Sequence, residues 1–213
     1  MYPVERPAIP WVQIEREQIV QNGICIYTHT GMAADFLQDA YHALDIKYPK
    51  FFKMDRMGKL GILAAYLLVK QYNTPRPDPF RSGMLFYNAS ASALADKAYL
   101  QSMQSIPSPA LFVYTLPNIV MGELAIYLGW KGENTFFVCD DHHSNPIPTY
   151  ANSIFKSDLL DEFLYACIEP GEGHDFLYMS LIRKEDRIEM ISEEEWKKIF
   201  TFAPGYMASN HPH

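Results

Sequence analysis

Met57–Lys70 sets Leu60, Leu63, Ala64, Leu67 and Leu68 at the i, i+3, i+4, i+7, i+8 spacing that lines one face of an α-helix. A chain with such a stripe must lay it on another apolar layer, and short apolar runs on both sides supply one. Gly23–His29 reads as a first strand. Ser82–Tyr87 and Thr135–Asp140 follow, then Phe163–Ile168, Phe176–Ile182 and Arg187–Ile191. Helical stretches separate them: Met32–Leu44, Ala89–Met103, Asn118–Leu128, Tyr150–Leu160 and Ser192–Phe200. Pro117 opens the third of these and Gly129 ends it, while Ser192–Phe200 carries Glu early and Lys late, as the helix dipole favours. Thr135–Asp140 is apolar through Cys139 without alternation, as in a strand covered on both faces. The pattern predicts an α/β fold, a layered mixed sheet with flanking helices.

At ~100–200 residues per domain, 213 residues fit a single domain over 1–213, with 203–213 expected to be a loose tail. Eighteen basic and 25 acidic residues give a net charge of −7, which counts against nucleic acid and anionic membrane as partners. The most apolar window, Ala110–Trp130, is interrupted by Pro117, Asn118, Glu123 and two glycines, whereas a spanning helix takes ~20 largely unbroken apolar residues. The first residues lack the basic start and apolar core of a signal peptide. Cys25, Cys139 and Cys167 are widely spaced and form no C-x-x-C, so a reducing cytoplasm is expected and neither a zinc site nor a disulfide framework. All three fall in predicted strands and read as packed thiols.

No cofactor and no metal are expected. Asp140, Asp141, His142 and His143 are metal-capable but adjacent on one turn, without the i, i+4 spacing that converges on an ion, and read as a solvated turn. His29, His42 and His174 are isolated. The turn Pro170–Asp175 (PGEGHD) lacks the Lys and Ser/Thr of a phosphate loop, and no serine sits in a G-x-S-x-G elbow.

Three stretches in order carry a resemblance: Met54–Lys70 (MDRMGKLGILAAYLLVK), Arg81–Met103 (RSGMLFYNASASALADKAYLQSM) and Ser108–Val138 (SPALFVYTLPNIVMGELAIYLGWKGENTFFV). The last has LPN, G-E-L-A-I in place of the common G-H-L-A-I, and L-G-W-K-G-E-N before a strand. Together they resemble the N-terminal half of β-ketoacyl synthases, condensing enzymes of the thiolase fold. The resemblance implies a buried helix at Asn118–Leu128, with Gly122 and Ala125 allowing close approach to the sheet and Gly129 and Gly132 making a tight return into Thr135–Asp140.

It also shows what is missing. In the family a nucleophilic cysteine follows this strand at a helix N-terminus, where its pKa is lowered. The family spacing puts Asp141 there, and VCDDHHSNP has no T-x-C-x-S core. An acyl-aspartate would be a reactive mixed anhydride, and the adjacent Asp140 adds repulsion toward a phosphopantetheine phosphate. Cys139 lies two residues early, inside the apolar run. The family's catalytic histidines, or a His and an Asn, would come from a second half, so no catalytic residue is expected.

The leading expectation is a non-condensing synthase-like accessory subunit of a bacterial fatty-acid, polyketide or polyene pathway, as chain-length-factor partners are. Two alternatives stand beside it: an active acyl-thioester-processing enzyme using Cys139 or the Asp140–His143 loop, and an acyl-ligand binding module. The resemblance implies pairing through Thr135, Phe136, Phe137, Val138, Cys139 and Asp140, giving a homodimer or a heterodimer with a full-length β-ketoacyl synthase. Acyl carrier protein, itself acidic, would need basic residues such as Lys47, Lys50, Lys53, Arg56 and Lys59 gathered on one face.

Overall fold

The computed structural model describes residues 9–31, 35–70, 78–139 and 147–184. Within them the elements run β1 (Trp11–Glu15), β2 (Gln18–Gln21), β3 (Ile24–Thr28), α1 (Phe36–Ala43), α2 (Arg56–Lys70), β4 (Ser82–Asn88), α3 (Ala93–Ser102), α4 (Pro109–Phe112), α5 (Ile119–Leu128), β5 (Asn134–Val138), α6 (Ile147–Lys156), β6 (Glu162–Glu169) and β7 (Phe176–Arg183). Three short 3-10 turns, Pro49–Lys53, Pro79–Arg81 and Val113–Thr115, complete the set. The strands form one mixed sheet in the order β3-β2-β1-β7-β6-β4-β5. β4 runs parallel to both β5 and β6; every other pairing is antiparallel.

Helices cover both faces, as the alternation predicts. On one face α1, α2 and α5 pack over Val12, Ile14, Ile19, Phe86, Leu164 and Met179. On the other, α6 brings Ile147, Ala151 and Ile154 onto Leu85, Tyr165, Tyr178 and Ile182. The expected stripe of α2 is buried, and so are Ile62 and Ala65 on its other sides. α2 lies between the sheet and α5, which buries a helix almost all round.

The expected strand Ser82–Tyr87 and β5, which takes up the described part of the Thr135–Asp140 run, are adjacent parallel strands of one sheet, with Phe86 opposite Phe136 and Tyr87 opposite Phe137, while Asp140 lies outside the described residues. The return between α5 and β5 is tight. Gly129 caps α5 at φ +73°, a left-handed position suited to glycine, and a Cβ on Gly132 would sit 2.6 Å from the Ser82 carbonyl oxygen. The glycine that lets α2 approach α5 is Gly61, whose Cβ position is 3.1 Å from Val120 and 3.3 Å from Leu124. Gly122 does not face the sheet as expected: it turns outward, with open space at its Cβ position.

Two strands precede the expected first one. β1 and β2 form a hairpin through Arg16 and Glu17 at φ 51° and 58°, and β2 turns into β3 through Asn22 and Gly23. Among the described residues no single helix is long and apolar enough to cross a membrane. The apolar window is split, with 109–115 and α5 meeting at 99°. The expected strand Arg187–Ile191, the helix Ser192–Phe200 and the tail 203–213 lie outside the described residues.

Candidate functional site

Among the described residues β5 is an edge strand, with both of its faces occupied. Phe136 packs into the core on the α2 side and Phe137 into the core on the α6 side, edge-on to Tyr150 at 5.6 Å between ring centroids. The Thr135 and Tyr150 hydroxyls are 2.9 Å apart, fastening β5 to α6. Among the described residues no strand pairs along the outer side of β5, and Val138 there is 54% exposed. Unpaired apolar strand edges invite another chain.

Asp141, expected from the resemblance at the nucleophile position, lies outside the described residues with Asp140, His142 and His143. Cys139 directly follows β5. Its N–H donates to the Asn88 carbonyl at 2.9 Å, and its side chain packs, half-buried, against the core on the α6 side. Cys167 is fully enclosed, and burial pushes its thiol well above the ordinary range, the opposite of a reactive cysteine. Cys25 is not packed as expected. It is exposed, because β3 is the other edge of the sheet. Among the described residues no group of three or more His, Cys, Asp or Glu side chains converges to hold a metal.

A cavity of about 180 Å³ lies beside the start of α2. Its apolar wall includes Met57, Leu94, Ala95, Ala98, Leu111 and Pro170, and Asp55, Arg56, Ser92 and Tyr114 also border it. Burial raises the Asp55 carboxyl to about 6, although it accepts the Gly58 N–H at 2.8 Å. Nearby sits Glu123, the glutamate of the G-E-L-A-I stretch. It is buried in α5, ion-paired with Lys50, and accepts the Tyr114 hydroxyl at 3.3 Å. Burial and then the Glu123 charge push Tyr114 up to about 12. A lone acid in so apolar a helix calls for such partners, which was the available signal for this cluster.

Of the five basic residues considered for carrier docking, three are neutralised. Lys47 pairs with Asp45, Lys50 with Glu123, and Arg56 makes two bonds of 2.6 and 2.7 Å to Asp175. They do not form an unopposed basic face. Outward, the helical segment after β4 presents Leu100, Met103, Ile106, Phe112, Val113 and Leu116, all exposed.

No protein-family profile matches the sequence, and no curated protein matches it. Solved structures do match. The ishigamide ketosynthase/chain length factor superposes with a TM-score of 0.62 at 13% identity, over 85% of this chain and 63% of that one. A ketosynthase structure from Xenorhabdus doucetiae, ApeO in complex with its chain length factor ApeC, gives 0.54 at 10% identity, over 83% of this chain and 79% of that one. This chain thus spans just under two thirds of the ishigamide chain it matches. The mixed sheet with helices on both faces is the thiolase-like fold of ketosynthase and chain-length-factor proteins.

Proposed function

We propose that this protein is a non-condensing, ketosynthase-like accessory subunit that pairs with a full-length β-ketoacyl synthase through β5. The observation that carries this reading is the outer side of β5, along which no strand pairs among the described residues and where Val138 is exposed. Both matched structures are described as ketosynthases with chain length factors, which supports a partner of that kind. The sequence after β5 supports the non-condensing part, since aspartate stands at the nucleophile position and Cys139 packs against the core. The pathway class we infer is polyketide or polyene assembly.

The purified protein, alone or mixed with malonyl thioester and acyl carrier protein, is expected to show no condensation and no decarboxylation above blank. Intact mass after incubation with an acyl thioester is expected to show no adduct. Turnover that disappears in Cys139→Ala or Asp141→Ala would replace this reading with an active acyl-processing enzyme.

A further inference from the structure

α3, α4 and the Val113–Thr115 turn contain no buried residue, and their main packing partners are one another. A helical segment of this kind sits at the low-stability end of a structure. The cavity described above is the seam between that segment and the body. Leu94, Ala95, Ala98, Leu111 and Tyr114 line it from the segment; Asp55, Arg56, Met57 and Pro170 line it from the body.

The segment before α3 is fixed to the sheet. Glu169, buried at the end of β6, accepts from the Ala89 N–H and from the Ser90 hydroxyl at 2.6 Å, while the Asn88 side chain bonds both the N–H and the carbonyl of Ala91 at 2.9 Å. At the other end the chain enters α5, which is packed on α2. Between these anchors, the polar ties to the body run through Lys97 and Tyr114. Lys97 pairs with Glu172 at 2.7 Å, but both side chains are more than half exposed and such pairs hold weakly. Tyr114 is the stronger tie. Its hydroxyl lies 3.3 Å from Glu123 and 3.2 Å from the Lys53 carbonyl, and Glu123 is held in place by Lys50.

We propose that α3, α4 and the Val113–Thr115 turn form a flap that opens over the seam cavity and is latched shut by Tyr114 on Glu123. Opening separates the Leu94, Ala98 and Leu111 side from Met57 and Pro170 and gives access to an apolar slot from solvent. The flap does not depend on the subunit pairing proposed above, and its test needs no partner.

Hydrogen–deuterium exchange of the pure protein, read peptide by peptide, tests it. In Tyr114→Phe the amides of 93–116 are expected to exchange about tenfold faster or more, the loss expected for a bond to a charged acceptor, with β4, β6 and α2 unchanged. Glu123→Gln, which keeps the side-chain shape but removes the charge and the Lys50 pair, should speed the same peptides. Lys97→Ala should leave them alone. Exchange of 93–116 unchanged in Tyr114→Phe, or raised equally in the sheet, would overturn the latch.

Discussion

Asp175 closes the Pro170–Asp175 turn by accepting the Gly171 N–H and clamps Arg56 at the start of α2 with two short bonds. The pair ties the β6–β7 connection to the central helix across 119 residues of sequence. Asp175→Asn leaves Arg56 without its charged partner and should lower unfolding stability by about 2 kcal/mol in urea titration. His29 is a second junction. Its ring stands between Glu17 of the β1–β2 turn at 3.3 Å and Asp39 of α1 at 3.1 Å. The Glu17 hydrogen bond raises its pKa, burial offsets part of this, and Asp39 adds to the rise. A raised folded-state pKa means the contribution is fully present below the free imidazole value of ~6.5 and fades as pH climbs through the folded value. The melting-temperature gap between wild type and His29→Gln should therefore narrow from pH 5.5 to 8.5. Neither junction is legible from sequence, where His29 and the turn carry no motif; only the fold brings their partners together.

Among elements, legibility followed periodicity. The stripe of α2 was readable, as was the two-faced apolar character of β5, because Phe136 and Phe137 feed opposite cores. The β1–β2 hairpin was not. Its turn residues, Arg16 and Glu17, both adopt positive φ, a conformation normally marked by Asn or Gly, so the sequence gives no turn signal there. Gly23, read as the first residue of a strand, instead forms with Asn22 the turn from β2 into β3. Glycine spacing misled in α5, where Gly122 looked like a packing residue and Gly61 of α2 is the one that packs. The two kinds of glycine predict opposite outcomes. Gly122→Ala, with open space inside a helix, should stabilise by about 0.5–1 kcal/mol. Gly132→Ala drives a methyl into the Ser82 and Phe80 carbonyls and should cost about 1–3 kcal/mol in the same titration.

At the scale of the molecule, the sheet of the described residues ends in β3 and β5, two strands of different character. β3 exposes Ile24 and Ile26, but its pairing with β2 shifts register between Ile19 and Val20, an irregularity of the kind that twists an edge away from further pairing. β5 pairs with β4 in unbroken parallel register from Asn134 to Val138. Covering apolar surface there, Val138 included, favours association at ~25 cal/mol per Å², before the entropic cost of joining two chains. The proposed pairing uses β5, whose register with β4 is unbroken, and not β3. Light scattering of the pure protein at micromolar concentration, alone and with each full-length β-ketoacyl synthase of the source genome, tests this directly. A 1:1 complex with one of them is expected, weakened at least tenfold by Val138→Arg and left intact by Ile24→Arg; a monomer that ignores every synthase, or a complex lost through Ile24→Arg instead, would rule out pairing through β5.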